Sequence, residues 1–250
     1  MKKHTVFTMS CLIAAACQAG LALAADNAHW RYSGPQGPEH WSTLDPEFKV
    51  CATGKNQSPI NLTAAVEGEL APLALHYQPA GASVINDGHT VQVNYQPGSF
   101  LTLDGERFEL KQFHFHTPSE NLIQGESFPL EGHFVHADKN GSLAVIAVMF
   151  QEGEVNHALA SIWPHMPAQV GETTALKQPV DASQILPKAQ AYYRFSGSLT
   201  TPPCSEGVRW LVMKTPQTLS AKQISDLMKI IKHSNNRPVQ PLNGRVVVAS

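Results

Sequence analysis

The sequence carries little charge, because Asp, Glu, Lys and Arg make up only 15% of its 250 residues. Basic residues number 18 and acidic residues 20, so the formal net charge is -2. Without a basic excess nothing points to nucleic acid, and without a long acidic run nothing suggests a disordered charged tail. Internal repeats and low-complexity linkers are also missing. The length suffices for one substantial core and is too short for two ordinary domains.

The first two dozen residues differ from the rest. Lys2 and Lys3 precede a mainly apolar stretch from Val6 to about Ala16. Ala22-Leu23-Ala24 then places small residues at the two positions that a signal peptidase reads. We therefore interpret residues 1–24 as a secretory signal peptide and residues 25–250 as one mature domain, in the periplasm or secreted.

Two alternatives stay open for this segment. A retained membrane anchor needs ~20 apolar residues, and Ser10, Gln18 and Gly20 weaken that interpretation. A lipoprotein would be acylated at Cys17, yet the residues before it, 14–16, lack the usual larger apolar side chain. Cleavage would leave 16 basic and 20 acidic residues, a net charge of -4, and no membrane association.

Cysteine is scarce as well, with four residues in all. Cys11 and Cys17 lie in the segment expected to be removed, so Cys51 and Cys204 remain. An exported chain with two cysteines favours a single disulfide, which would close a loop of about 150 residues. Two buried free thiols are the alternative.

The distribution of apolar residues predicts strands more often than helices. Period-two alternation marks several segments, Asp104-Gly105 is a strong hairpin signal, and the apolar run from Leu143 to Phe150 is typical of a strand buried on both faces. The predicted strands cover segments 90–95, 100–103, 108–115, 130–136, 143–150, 192–195 and 208–213.

The clearest predicted helix runs from Ala221 to about Lys232, and a shorter one spans 156–163. Ser220 and Gln223 form a capping box for the longer helix. Its apolar stripe comprises Ile224, Leu227, Met228 and Ile231. The expected fold is mixed α/β but β-dominated, a single domain around a large, mostly antiparallel twisted sheet with peripheral short helices.

Three histidines are placed for metal binding. His114 and His116 lie two residues apart in a segment with strand periodicity, so both imidazoles share one face while the phenylalanines between and before them face the core. His133 would lie beside them if its strand is an antiparallel neighbour. Three neutral imidazoles suit a catalytic zinc ion that keeps its fourth position for water.

One His-x-His pair is a weak signal, and the residues around it strengthen it. Gln112 and Glu131 each lie two residues before a proposed ligand and on the same face. Zinc-bound histidines usually donate their second ring N–H to such an oxygen. His136 falls on the opposite face from His133, so we interpret it as a structural histidine.

Longer motifs run through the whole mature chain in a fixed order. They are Gly37 to Trp41, Gly54 to Leu62, Asn86 to His89, Gln112 to His116, Ser119 to Asn121, Glu131 to His133, Gly197 to Cys204 and Asn236 to Leu242. With these motifs the chain resembles the α-class carbonic anhydrases, specifically the exported bacterial type.

The resemblance implies the zinc-dependent, reversible hydration of carbon dioxide to bicarbonate and a proton, through zinc-bound hydroxide. It implies one Zn²⁺ per chain, held by the three histidines, with carbon dioxide and bicarbonate as the small-molecule partners. Thr200 would accept a hydrogen bond from the hydroxide and donate one to Glu120. His89 occupies the proton-shuttle position, and an ordinary histidine pKa of ~6.5 suits that task.

The resemblance also implies roles for residues around the centre. The apolar pocket for carbon dioxide would comprise Val135, Val145, Leu199, Thr201 and Trp210. The positions that order water would be Tyr32, Asp87 and Gln92. Many relatives have other residues at the positions of Asp87 and Gln92. Cys51 and Cys204 match the disulfide of exported members. Asn121 stands where many relatives have histidine, so the hydrogen bonds there must differ.

Two further hypotheses compete with an active hydro-lyase. A non-catalytic binding module on the same fold would have lost zinc ligands, whereas the three histidines, Thr200, Glu120 and His89 are all present. A periplasmic zinc-storage protein would carry exposed histidine clusters on loops, whereas these histidines have strand spacing. The sequence gives no oligomeric state.

Overall fold

The computed structural model describes residues 29–250 of the chain. The segment interpreted as a signal peptide, with Cys11 and Cys17, lies outside the described residues. A 13-stranded sheet forms the centre of the molecule, and a separate pair of short strands lies beside it. Across positions 29–250, no helix has the length and apolar character needed to cross a membrane.

The strands are numbered in chain order. They are β1 (Asn61–Leu62), β2 (Ala65–Glu67), β3 (Ala74–His76), β4 (Gly81–Asn86), β5 (Val91–Tyr95), β6 (Phe100–Leu103), β7 (Glu106–His116), β8 (Leu122–Ile123), β9 (Leu130–Ala137), β10 (Leu143–Glu152), β11 (Thr173–Val180), β12 (Tyr192–Ser198), β13 (Glu206–Met213), β14 (Gln217–Leu219) and β15 (Val247–Ala249). All seven predicted strand segments are present in this set.

The large sheet is mixed but mostly antiparallel, as predicted. Its main order is β11-β4-β5-β7-β9-β10-β13-β12-β15-β2, while β6 and β14 pair with β7 and β10, and β3 pairs with β6. Only the β10–β13, β10–β14 and β15–β2 pairs are parallel within this described sheet. The neighbours β5, β7, β9 and β10 therefore form a rigid centre with a partner on each side.

The hairpin between β6 and β7 confirms the turn predicted at Asp104-Gly105. Asp104 has φ 53° and Gly105 has φ 78°, so both residues adopt the left-handed conformation. Two consecutive positive φ angles match the twist of the flanking strands, and Asp-Gly is a preferred pair for such a turn. The turn fixes the register in which Phe100 faces Glu109.

The α-helices are short. They are α1 (Trp41–Leu44), α2 (Val50–Thr53), α3 (His157–Ala160) and α4 (Ala221–Ile231), and 3-10 turns cover Gly34–Gln36, Pro46–Lys49, Trp163–His165 and Ala182–Gln184. The capping box predicted for α4 is present, since Ser220 and Gln223 each bond the other's main chain.

Two details of the helices differ from the prediction. The segment 156–163 forms only one turn of α-helix, α3, because Asn156 caps it and the chain then tightens into the 3-10 turn that begins at Trp163. In α4, Leu227 and Ile231 are buried but Met228 is 42% exposed. The helix therefore presents a narrower apolar face than its sequence stripe suggests.

The central strands bury both faces of the sheet. On one face, Phe113, Phe115 and Phe134 join the larger hydrophobic core, which also receives Leu227 and Ile231 of α4. On the other face a smaller core contains side chains from β10, β12 and β13, including Val145, Phe195 and Trp210. β10 contributes to both cores, as its continuous apolar run predicted.

His136 confirms its interpretation as a structural histidine. Its Nε2 lies 2.5 Å from the Tyr77 hydroxyl and its Nδ1 lies 3.2 Å from the Ala144 carbonyl oxygen. The side chain is fully buried. Burial lowers the pKa of His136 to about 4, so the folded chain keeps this ring neutral at pH values where an unfolded chain would protonate it.

The pKa of His136 predicts acid sensitivity. Between pH 6.5 and 4 the unfolded state binds a proton that the folded state does not, so the free energy of unfolding falls as the pH falls. Relative to His136→Gln, the wild type should lose about 2 kcal/mol more between pH 7 and pH 4.5. Urea unfolding at several pH values measures both proteins, and parallel stability curves would contradict the assignment.

Candidate metal centre and active site

A β-bulge in β7 determines which side chains face the site. Opposite β9, Leu110 pairs with His136 and Gln112 pairs with Val135, so Lys111 is an extra residue. Before the bulge the even-numbered Phe108 and Leu110 are in the core, and after it Phe113 and Phe115 are. The bulge thus exchanges the two faces of the strand and turns Gln112 and the two histidines that follow it away from the larger core.

The pairing of β7 with β9 brings three histidines together. His114 lies directly opposite His133 in the antiparallel register, and His116 lies opposite Glu131. One ring nitrogen of each histidine lies within 4.8 Å of the corresponding nitrogens of the other two. The ring centroids of His116 and His133 are 4.5 Å apart, and His114 lies 5.0 and 5.3 Å from them. The sheet therefore creates the convergence that the sequence spacing predicts.

The second nitrogen of each ring has an oxygen acceptor. Nδ1 of His114 donates to Gln112 Oε1 at 2.8 Å, and Nε2 of His133 donates to Glu131 Oε1 at 2.8 Å. Nδ1 of His116 donates to the main-chain oxygen of Asn235 at 2.7 Å. These bonds fix the tautomers and leave Nε2 of His114, Nε2 of His116 and Nδ1 of His133 as the converging atoms.

The converging nitrogens fit a zinc ion. Nε2 of His116 is buried and has no hydrogen-bond partner within the described residues, which is costly for a polar atom unless a ligand occupies the site. Burial lowers the pKa of all three rings, most strongly at His114 and His133. Metal binding needs the neutral imidazole. Three such donors with room for a fourth ligand match catalytic zinc.

Glu131 connects the metal centre to the loop after β7. Its Oε2 accepts the main-chain N–H groups of Glu120 (2.7 Å) and Asn121 (2.8 Å), while Oε1 accepts the Asn121 side-chain amide at 2.7 Å. Asn121 in turn accepts the N–H of Ile60 at 3.0 Å through Oδ1. Asn121 thus donates to the Glu131 carboxylate and also bonds a second segment of the chain.

Glu120 lies beside two of the three histidines, with Oε2 4.0 Å from His133 Nδ1. Its Oε1 accepts the main-chain N–H of Arg237 at 2.8 Å and lies 3.6 Å from His116 Nδ1. Burial raises the pKa of Glu120 well above its ordinary value, and the Arg237 N–H and the Thr200 hydroxyl oppose that shift. Thr200 is therefore beside the carboxylate, although Glu120 Oε2 lacks a partner with full hydrogen-bond geometry.

The disulfide joins the loop that carries Thr200 to the N-terminal segment. Cys51 and Cys204 are bonded, as expected for an exported chain. Thr200 is 6% exposed and lies between β12 and β13, where Cys204 N donates to the Thr201 carbonyl at 2.8 Å. Gln57 Nε2 adds a bond to the Cys204 carbonyl at 3.0 Å. The loop is therefore attached to the N-terminal segment by one covalent bond and one hydrogen bond.

The four predicted apolar pocket residues belong to one cluster. Val145 and Trp210 are 2% exposed, and the half-buried Val135 and Leu199 pack against the same core. Trp210 also meets His133 edge to face, with ring centroids 4.9 Å apart. An apolar wall therefore adjoins the metal centre on the side of β10 and β13.

A cavity of about 150 Å³ contains most of the remaining predicted residues. Those that line it are Tyr32, Asp87, His89, Gln92, Gln112, His114, His116 and Thr201. Gln92 lies opposite His114 in the pairing of β5 with β7, and its side-chain amide donates to Asn94 at 2.7 Å. The structure thus brings His89 and two of the three converging histidines, His114 and His116, to one cavity.

His89 is a partly buried residue in the lining of this cavity. Its ring stacks on Trp30 with centroids 3.8 Å apart. Oδ1 of Asp87 accepts the N–H groups of His89 (2.8 Å) and Thr90 (2.7 Å), which shapes the turn before β5. Burial lowers the pKa of His89, and the charge of Asp87 opposes the shift. At neutral pH the ring is therefore mainly neutral and able to accept a proton.

Three contacts at the site were not predicted from the sequence. The main-chain oxygen of Asn235 accepts from His116, the main-chain N–H of Arg237 donates to Glu120, and Trp30 stacks on His89. Two of them use main-chain atoms, which carry no residue signature. Trp30 lies four residues before the Gly-Pro turn that begins at Gly34, and nothing in its sequence context pointed to a contact with His89.

Comparison with known proteins identifies the family. The family model described as eukaryotic-type carbonic anhydrase matches residues 36–250. A carbonic anhydrase of Pectobacterium carotovorum is 54% identical over 227 residues, covering 91% of this chain and 93% of the relative. One of Neisseria gonorrhoeae is 49% identical over 247 residues, covering 98% of each.

A solved structure agrees with the sequence relatives. The α-carbonic anhydrase of Thermovibrio ammonificans, in complex with the inhibitor sulfanilamide, superposes with a TM-score of 0.87. It is 48% identical, and the alignment covers 88% of this chain and 99% of that one. The β-dominated fold and the sequence relatives thus lead to one conclusion, that the chain belongs to the α-carbonic anhydrases, lyases that hydrate carbon dioxide.

Proposed function

We propose that the protein hydrates carbon dioxide at one zinc ion held by His114, His116 and His133, and that His89 carries the proton away. The observation that supports this most is the set of three converging nitrogens whose opposite ring nitrogens are each bonded to an acceptor. A bound zinc ion lowers the pKa of its water to about 7, a value known from carbonic anhydrases themselves.

Thr200 and Glu120 would orient the nucleophilic oxygen. A hydroxyl group has one proton to donate and lone pairs to accept with. If the Thr200 proton points to Glu120, the Thr200 oxygen can only accept from the nucleophile. The nucleophile's remaining lone pair is then directed to the substrate. A nearby dication would favour the ionised form of Glu120, against the effect of burial.

The apolar wall would hold the substrate. Carbon dioxide has no charge and no donor, so a site selects it by shape and by lack of competing hydration. Val135, Val145, Leu199 and Trp210 supply such a surface beside His133. Thr201 lines the adjoining cavity and is the polar edge of the pocket. Bicarbonate, which is charged, gains little from the same wall and leaves toward the cavity.

The proton would leave through the cavity toward His89. Tyr32, Asp87 and Gln92 line this space with polar groups, and burial raises the pKa of Tyr32 well above its ordinary value, so its phenol stays protonated. His89 lines the same cavity, is only partly buried and stacks on Trp30. A neutral imidazole at this position can accept a proton and release it to buffer.

Replacing His89 with alanine should separate proton transfer from hydration. We expect kcat in dilute buffer to fall by about 100-fold, the lower end of the ~10²–10⁴-fold contribution of a general acid–base group, while kcat/KM changes little. Added imidazole should restore most of kcat, because it replaces the missing ring. Stopped-flow hydration at several buffer concentrations measures both constants. An unchanged kcat in about 1 mM buffer would exclude His89 as the shuttle.

The function as a whole is tested by carbon dioxide hydration with and without a chelator, together with metal analysis of the purified protein. One zinc per chain and chelator-sensitive hydration are expected. Bound zinc without hydration would favour a storage protein, and neither zinc nor hydration would favour a binding module. Zinc-independent hydration would refute the metal mechanism.

We further propose that residues 1–24 direct export and that residues 25–250 act in the periplasm or outside the cell. The disulfide between Cys51 and Cys204 supports an oxidising compartment. N-terminal sequencing of the protein recovered from a periplasmic fraction tests this, with Ala25 expected as the first residue. Recovery of full-length protein from the membrane fraction would favour the anchor instead.

A further inference from the structure

The regular pairing of β5 with β7 ends before the turn that carries His89. The ladder between β5 and β7 pairs Gln92–Asn94 with Gln112–His114. Past that ladder, the Thr90 hydroxyl donates to the Phe115 carbonyl at 2.5 Å and accepts the Phe115 N–H at 3.2 Å. Side chains therefore replace the regular main-chain pairing at the end of the sheet where the site lies.

The Asn235 side chain completes this junction. Its Nδ2 donates both to the main-chain oxygen of His89 at 3.0 Å and to that of Phe115 at 2.9 Å. Its Oδ1 accepts the main-chain N–H of Thr117 at 2.7 Å. Asn235 is fully buried, so water does not substitute for these bonds. One rigid amide group thus joins the turn of His89 to the residues on both sides of His116.

We propose that the Asn235 side chain is a positioning residue that fixes His89 relative to the metal-binding strand for proton transfer. The inference rests on the proposed roles of the metal centre and of His89. Transfer through a short water path depends on the placement of donor and acceptor. Nδ2 of Asn235 joins the His89 main chain to β7 at Phe115, and its Oδ1 anchors the same amide to Thr117, just past the end of the strand. Its separate main-chain bond to His116 does not depend on the side chain.

The variant Asn235→Asp tests the bridge. Aspartate has the same shape and can still accept the Thr117 N–H, but it puts an oxygen where the amide donated to two carbonyl oxygens. We expect kcat in dilute buffer to fall on the order of 10-fold. We expect kcat/KM to stay within about 3-fold, because it covers only the steps up to bicarbonate release. Bound zinc should be unchanged, and imidazole should restore kcat.

Controls exclude a general structural effect. Asn243→Asp is the matched substitution, since the exposed Asn243 also donates to a main-chain carbonyl, that of Lys55 at 2.7 Å. It should leave both constants unchanged. Asn235→Ser removes the bridge without adding a charge, and it replaces the aspartate variant if that protein does not fold.

A double variant decides whether Asn235 acts through His89. In a His89→Ala background, Asn235→Asp should cause no further fall in kcat, since residues that act together are not additive. Additive losses, equal falls in kcat and kcat/KM, loss of zinc, or no effect would each overturn the proposal. Failure of the proposed function is distinguishable from failure of this proposal. It would show as a wild type without zinc-dependent hydration, or as a His89→Ala variant with unchanged kcat while Asn235 is intact. Either result would also remove the basis of this proposal.

Discussion

Replacing His114 with alanine is expected to abolish stoichiometric zinc binding and to lower carbon dioxide hydration at neutral pH by at least about 10⁴-fold. The size follows from the water pKa, which is about 7 on zinc and 15.7 in bulk, the values established for carbonic anhydrase. The variant keeps two imidazoles but loses the three-nitrogen geometry that a catalytic site needs. Hydration by stopped flow and zinc by atomic absorption measure the two effects.

The control for this variant is His76→Ala. His76 ends β3, is exposed and stacks on Phe100 with centroids 4.6 Å apart. It is thus a strand histidine outside the metal centre, and its loss should leave zinc content and hydration unchanged. The assignment of His114 would be wrong if His114→Ala kept one zinc per chain or retained more than about a tenth of the activity.

The local geometry of the metal centre was predictable because a strand has a period of two. Gln112, His114 and His116 share a face whatever the rest of the chain does. The side on which that face lies was not predictable in the same way. It depends on the bulge at Lys111, which reverses the alternation set by Phe108 and Leu110. A bulge leaves no composition signal at this position.

Long-range pairing was the other part that patterns did not supply. The parallel pairing of β10 with β13, which aligns Val145 with Trp210, forms the apolar wall. Alternation shows that each strand is buried but not which strands are neighbours. The roles proposed for Thr200, Glu120 and His89 rest on the resemblance, since each depends on residues far away in the chain.

Buried contacts between residues far apart in the sequence also support the site, and local sequence patterns do not predict such contacts. Arg237 is 2% exposed, and its guanidinium donates to Gln57 Oε1 and to the main-chain oxygens of Ser58 and Cys51, each at 2.8 Å. Its N–H meanwhile bonds Glu120. One residue therefore ties the N-terminal segment, the disulfide and the Glu120 carboxylate together.

Removing the disulfide should destabilise the protein strongly while sparing the site. Cys51 and Cys204 are 153 residues apart in sequence, so the bond restricts the unfolded chain over most of the described sequence. A cross-link of this span contributes about 2–5 kcal/mol. The variant Cys51→Ala/Cys204→Ala should therefore have a free energy of unfolding lower by that amount in urea.

Hydration by the folded double variant should stay within about 3-fold of wild type. The buried hydrogen bonds to the main-chain oxygens of residues 51 and 204 remain in the variant, and each contributes about 1 kcal/mol to holding the loop in place. Arg237 still reaches the Cys51 carbonyl, and Gln57 still reaches that of Cys204. A reductant should bring the wild-type unfolding midpoint to that of the variant and leave the variant unaffected. Equal midpoints before reduction would show that the bond adds no stability. A large loss of kcat/KM in fully folded variant would show that the bond, and not the polar network, holds the Thr200 loop in its active position.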